Sequence, residues 1–197
     1  MKKSFFLSIL AVGALVACSK SEVVDTKFDQ AISFENYVGR DAVTKAAVAD
    51  VDALKAETYA GIGLYGFYTG NAAWNAETNS NLWGNENLAW DGTGFSYTNT
   101  KYWTNDTDQY TFFAYAPYSE SAPSGTTVKD PAVSFTVDGT IKNQVDFLYS
   151  NNQKNTVKTQ NTDGVNLVFN HALSRITVKA QENQAEYDYT IYGVSIS

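Results

Sequence analysis

One cysteine, one histidine, two arginines and three prolines are all that the 197 residues hold of those types. A single thiol, Cys18, cannot close a disulfide within the chain, so stability has to come from a packed core. A single imidazole, His171, cannot make a multi-histidine metal site, and it leaves a Ser, Thr or Cys nucleophile short of a base. The only arginines are Arg40 and Arg175, and 14 basic side chains face 21 acidic ones. Phosphate recognition needs clustered Lys and Arg, so nucleic acid is excluded as a natural partner. Long apolar runs are also missing: the longest, Phe5 to Val16, is short of the roughly 20 residues that span a bilayer.

What is present begins with an export signal. Lys2 and Lys3 precede that apolar run, and small residues follow it up to Cys18, the layout of a cleavable leader over residues 1–17. The ending Leu15-Val16-Ala17-Cys18 looks like a bacterial lipobox, which implies cleavage before Cys18 and acylation of its sulfur. Each buried CH₂ of an acyl chain contributes about 0.8 kcal/mol, so several chains together hold a protein at a membrane. Ser19 stands where, by analogy with enteric bacteria, an aspartate would favour the inner membrane, and the expected destination is the outer membrane. Without Lys2 and Lys3 the basic count falls from 14 to 12 against 21 acidic residues, a formal charge of −9, which suits a soluble, self-repelling surface.

Residues 18–30 are polar and read as a tether. From residue 31 onward the period is mostly two, the signature of strands. Residues 31–38 (AISFENYV) alternate and form the expected first strand. Gly39 opens a loop, and the spacing of Val43, Ala47, Val51 and Leu54 predicts a short helix within it. Further strands are expected at 62–68, near 95–97, at 108–118, 133–137, 145–150, 165–170, 175–180 and 187–197. In 108–118, Tyr110, Phe112, Ala114 and Ala116 share one face, while Phe113 and Tyr115 share the other. Short alternating runs separated by turn chemistry indicate an all-β, antiparallel sandwich. The chain stops on an extended pattern at Ser197, which points to a fragment of a longer protein.

Few side chains suggest chemistry. Paired carboxylates can hydrolyse a glycosidic bond when they stand about 5–9 Å apart, and Asp50 with Asp52, Glu86 with Asp91 and Asp106 with Asp108 are the candidates. All six read as solvated loop charges. The run Asp106-Thr107-Asp108 lacks the Gly and distal Glu of an EF-hand loop. No catalytic residue, metal site or cofactor is expected. Trp74, Trp83, Trp90 and Trp103 fall close together in an Asn-rich region and could stack on sugar rings, although packing explains them as well. Around His171 the apolar phase inverts: Leu167, Phe169, His171 and Leu173 share one parity, Ile176, Val178 and Ala180 the other. A strand cannot switch its buried face without an inserted residue, so a break is expected at 172–174, with His171 serving backbone groups beside it.

NHALSRITVKA, the aromatic strand YTFFAYAPY and the opening AISFENYVGRDAVTKA after a lipobox together resemble the fimbrillin-like (Mfa-like) proteins of the Bacteroidota. The resemblance implies a lipoprotein precursor built from two transthyretin-like β-sandwich domains of Greek-key type, with residues 31–197 as the N-terminal one. It implies a structural subunit, not an enzyme, carried to the cell outer membrane and assembled with other subunits into surface fimbriae that contribute to adhesion. Assembly in such a family works by donor-strand exchange: a protease cuts after the first strand, that strand leaves, and a strand from a neighbour takes its groove. The processing loop would be 39–48, with Arg40 as the favoured site and Lys45 as the alternative. A different reading is a surface lipoprotein that binds a host or dietary glycan through Trp74, Trp83, Trp90 and Trp103.

Overall fold

A computed structural model describes residues 30–38, 51–55 and 59–173. The leader, Cys18, Arg40, Lys45, Asp50 and the expected strands at 175–180 and 187–197 lie outside them. The described residues are all-β apart from one short helix and isolated turns. The strands are β1 (Phe34–Val38), β2 (Ile62–Gly70), β3 (Trp83–Trp90), β4 (Phe95–Ser96), β5 (Gln109–Ala116), β6 (Leu148–Thr156) and β7 (Val165–His171), with the helix α1 at Val51–Leu54.

The seven strands form one sheet in the order β1-β7-β6-β5-β2-β3-β4. Its neighbours are antiparallel except at one end, where β1 runs parallel to β7 in the register Phe34↔Val165 to Val38↔Phe169. That pair corrects the expectation of a wholly antiparallel fold. Parallel neighbours cannot be joined by a hairpin, and here strands β2 to β6 intervene between the two. At the other end the sheet curls back on itself. Ala31 makes an antiparallel bridge to Tyr102, so the segment carrying β1 also touches the stretch just after β4, and the sheet nearly closes.

Two faces are buried. The concave interior holds Ile32, Phe34, Ile62, Leu64, Trp83, Leu88, Trp103, Tyr110, Phe112, Leu148, Val165, Leu167 and Phe169. The outer face packs Tyr65, Phe67 and Tyr115 beneath Trp74, Phe113, Ala122, Val128, Val133 and Phe147. The central strand β5 is divided between the two as its alternation predicts, with Tyr110, Phe112, Ala114 and Ala116 inside and Tyr115 outside. A strand buried on both faces reads as nearly continuous apolar sequence, which is why β2 and β5 stand out.

Three elements differ from expectation. Residues 133–137 alternate but are not a strand. Val133 packs on the outer core and the Phe135 ring stacks on Phe147 at 4.7 Å, so the alternation records packing of an extended strap, not ladder pairing. The strand expected at 145–150 lies instead at 148–156 and continues into the polar run NNQKNT. Backbone pairing to β7 covers only Leu148↔His171 and Tyr149↔Asn170. Beyond that, Asn152 Nδ2 and Gln153 Nε2 donate to the Asn166 carbonyl at 2.9 and 2.7 Å, and the Val168 N–H donates to Asn152 Oδ1 at 3.0 Å. Side-chain amides thus replace ladder rungs, which suits a polar strand. β3 has no alternation to announce it: WGNENLAW holds Asn85 at φ 68° and pairs with β2 across a register shift between Leu64 and Tyr65.

β2 and β5 approach closely where Gly63 faces Tyr115. A Cβ at Gly63 would stand 2.1 Å from Tyr115 Cε1, inside van der Waals contact. The Tyr115 hydroxyl is meanwhile held by Asn85 Oδ1 at 2.7 Å, so the ring cannot swing aside without losing that bond. Gly63→Ala is expected to cost about 1–3 kcal/mol of stability by overpacking, read as a lowered midpoint in urea with an unchanged slope. An unaltered midpoint would show that the ring yields freely.

Candidate functional site

Residues 30–34 lie in a groove with two different lips. On one side the Ile32 N–H donates to the Lys101 carbonyl at 2.9 Å and the Trp103 N–H donates to the Gln30 carbonyl at 3.2 Å. On the other, the Val165 N–H donates to the Ser33 carbonyl at 2.8 Å, where the parallel ladder to β7 begins. The floor is aromatic. The Phe34 ring meets Phe112 at 5.4 Å, Trp83 at 5.7 Å and Tyr97 at 6.1 Å, all edge to face. Ile32 is fully buried and Phe34 is 7% exposed. The Tyr97 hydroxyl donates to the Ile32 carbonyl. Ser33 and Glu35, between these, are exposed. The period of two is that of a strand with one buried face.

Each lip is fixed by polar side chains. Glu86 Oε1 accepts from the Thr98 N–H at 3.2 Å, the Thr98 hydroxyl at 3.0 Å and the Asn99 N–H at 3.2 Å, which sets the turn following Tyr97. The Trp83 indole N–H donates to the Asn99 carbonyl at 2.9 Å. At the far end of the same lip, Asp108 Oδ2 accepts from the Tyr68 and Thr104 hydroxyls, both at 2.7 Å, and the Thr104 N–H donates to the Tyr110 hydroxyl at 2.9 Å. Asn105 Oδ1 in turn accepts from the Asp108 N–H at 2.7 Å. Residues 101–103 are therefore clamped on both sides. On the β7 lip, Gly164 adopts φ 129°, and a Cβ there would lie 3.2 Å from Ser33 Oγ and Glu35 Cγ; the close approach of β1 requires glycine.

Each described carboxylate singled out in the sequence has a structural partner, and Asp50 lies outside the described residues. Asp108 belongs to the clamp, Asp106 pairs with Lys158 at 3.3 Å and Asp52 pairs with Lys55 at 3.0 Å. Glu86 holds its turn, and Asp91 Oδ1 accepts from the Thr93 and Gly94 N–H groups at 2.8 and 2.9 Å. Backbone hydrogen bonds from Thr93 and Gly94 keep the Asp91 carboxyl below its ordinary value. The Asp108 carboxyl is held down by hydrogen bonds from Tyr68 first, then Asn105 and Thr104.

The tryptophans do not form one surface. Trp83 and Trp103 are each only 2% exposed, so those two rings present no face to a sugar. Trp90 is half-buried against Phe95 at 5.3 Å with Lys55 Nζ 5.0 Å from its centroid. Trp74 packs on Phe113 and Phe67 in the outer core. His171 ends β7, and its Nδ1 pairs with Asp146 Oδ2. A carboxylate, not the expected backbone group, is its partner. The Ala172 N–H donates to the Phe147 carbonyl at 2.8 Å, and residues from 174 on lie outside the described region. The clamp around Asp108 and the turn under Glu86 went unrecognised in the sequence. The run TNDTD, with Asn and Thr spaced to cap their own turn, was the available signal.

Comparison with known proteins agrees with this architecture. The fold is that of a fimbrial protein: a crystal structure of one from Bacteroides vulgatus matches with a TM-score of 0.56 at 25% identity, over 72% of this chain and 45% of that one. Residues 44–196 match the family model described as fimbrillin-like, and the chain belongs to the fimbrillin-like family. The curated relative Fimbrium subunit Fim1C of Phocaeicola vulgatus is 31% identical over 132 residues, which are 66% of this chain and 34% of that protein. The chain thus spans about a third of its curated relative's length.

Two outcomes follow from the groove. Phe34→Ala leaves a cavity among three rings and is expected to cost about 3–5 kcal/mol, measurable by urea denaturation; a loss under about 1 kcal/mol would mean that the strand end is not seated. Asp108 has a folded value below its ordinary 3.8, so its contribution is complete above that value and is lost as pH falls through the folded one. Tyr68→Phe removes a hydrogen bond to the ionised carboxylate. The melting-temperature gap between wild type and Tyr68→Phe is expected at pH 7 and to narrow below pH 3.8. A gap independent of pH would assign the tyrosine a packing role alone.

Proposed function

We propose that this chain is part of a structural subunit of surface fimbriae, tethered to the outer membrane through acylated Cys18 and assembled by exchange of its first strand. Membership of the fimbrillin-like family supports the subunit role, and the lipobox supports the anchor. The observation that carries the exchange is the seating of residues 30–34, which occupy a groove built by distant parts of the chain. Fully burying an Ile or Phe side chain contributes about 1.5–3 kcal/mol. Removing the segment uncovers Phe112, Trp83 and Tyr97 and frees backbone groups on both lips. Such a groove is refilled by a strand with apolar residues two apart, the chemistry of β-augmentation.

In this reading a protease cuts at Arg40, or at Lys45, the lipidated residues 18–40 leave, and a neighbouring subunit supplies the replacement. Cys18 anchoring holds the precursor at the surface until then, and adhesion belongs to the assembled fibre. The four-tryptophan glycan surface is not retained as a second reading, because Trp83 and Trp103 are core residues.

Mass spectrometry of subunits sheared from cells tests the scheme. The expected N-terminus is Asp41, or Ala46 if Lys45 is the site, and Arg40→Ala with Lys45→Ala should leave monomeric precursor and no fibres. Sheared fibres whose subunits still begin at Cys18 would overturn it.

A further inference from the structure

A second recess lies on the outer face of the sheet, away from the β1 groove. It is a cleft of about 280 Å³ between β5, β6 and the extended strap at 130–133. Its wall includes Phe113, Tyr115 and Tyr149, and its polar groups include Asp130, Asn151 and Lys154. Tyr149 is 40% exposed. Lys154 is exposed, yet its Nζ is held 5.3 Å from the Phe113 centroid and 5.4 Å from that of Trp74. Among the described residues neither Asp130 nor Lys154 has an ion-pair partner.

The chemistry of the wall narrows the ligand. Asp130 only accepts hydrogen bonds, Lys154 only donates them, and the Asn151 amide does both. An anionic ligand would face the Asp130 carboxylate, and a cationic one would face the Lys154 ammonium. A neutral polyol, each of whose hydroxyls donates and accepts, hydrogen-bonds to both and is repelled by neither. A ring such as Tyr149 offers a flat apolar face to the C–H side of a pyranose. At about 280 Å³ the volume falls just below the roughly 300 Å³ from which ligand sites usually run, and so admits one sugar ring and not a chain. We propose that this cleft binds a single neutral hexopyranose unit, with Tyr149 as the stacking platform and Asp130, Asn151 and Lys154 as its polar contacts. The site goes beyond the subunit role proposed above, and uses none of the groove residues.

Saturation-transfer NMR with the methyl glycosides of glucose, galactose and mannose as probes tests it. At least one is expected to receive transfer at its C–H protons, with a Kd of about 1–10 mM, as suits a one-ring site. Tyr149→Ala and Asp130→Asn should each weaken that binding by about tenfold, the equivalent of one lost hydrogen bond or stack. Both positions are exposed, so melting temperatures should stay at the wild-type value, and Lys154→Met gives a third reading if either variant misfolds. No transfer to any of the three glycosides overturns the proposal, as does binding undiminished in Tyr149→Ala. Methyl glucuronide bound as tightly as the neutral sugars would overturn the role given to Asp130.

Discussion

The packing of Phe34 against Phe112, Trp83 and Tyr97 is the contact on which the rest depends. Those three rings come from β5, from β3 and from the turn after β4, so one side chain near the start of the domain ties together strands from its middle. Without β1, strand β7 would be a sheet edge with unpaired backbone groups. Residues 34–38 pair with β7, and residues 30–32 of the same segment bond to 101–103, just after β4 at the opposite end of the sheet. The aromatic floor gives that segment its depth, and the two lips give it its register.

The same arrangement explains where polar side chains are spent. Buried polar groups need partners, and the conspicuous networks among the described residues, around Asp108 and Glu86, both brace the lip at 97–104. The His171–Asp146 pair does comparable work at the end of β7, joining it to the residue just before Phe147 and the start of β6. Carboxylates in these places serve as multiple acceptors that fix irregular backbone, which is the role turns and strand ends demand of them.

Much of this was legible in the sequence, and the limits have physical causes. β5 announced both its existence and its two faces because each face meets a different core. The first strand was legible as Ile32 and Phe34 alternating with Ser33 and Glu35. β3 and the second half of β6 were not, since Asn85, Asn152 and Gln153 pair through side chains or distort the register, and a period of two measures burial only. Residues 133–137 show the converse: Val133 and Phe135 alternate because they pack, with no ladder beside them. Of the tryptophans, proximity in sequence gave no hint that Trp83 and Trp103 point inward, because the Asn-rich setting reflects the loops around them and not the rings. The parallel partner of β1 could not be read at all, as nothing local encodes a neighbour from the opposite end of the domain.

The mismatch between the two lips has a directional consequence. Rungs on the β7 side are spaced and slanted for a chain running with it, whereas the rungs at 101–103 are set for one running against them. Any guest therefore fits both lips in a single orientation. If the proposed exchange passes one way from subunit to subunit, host and guest surfaces differ, and that contact is heterologous and repeats head to tail. In the proposed assembly, an asymmetric seam in one domain would be enough to give the filament a pole.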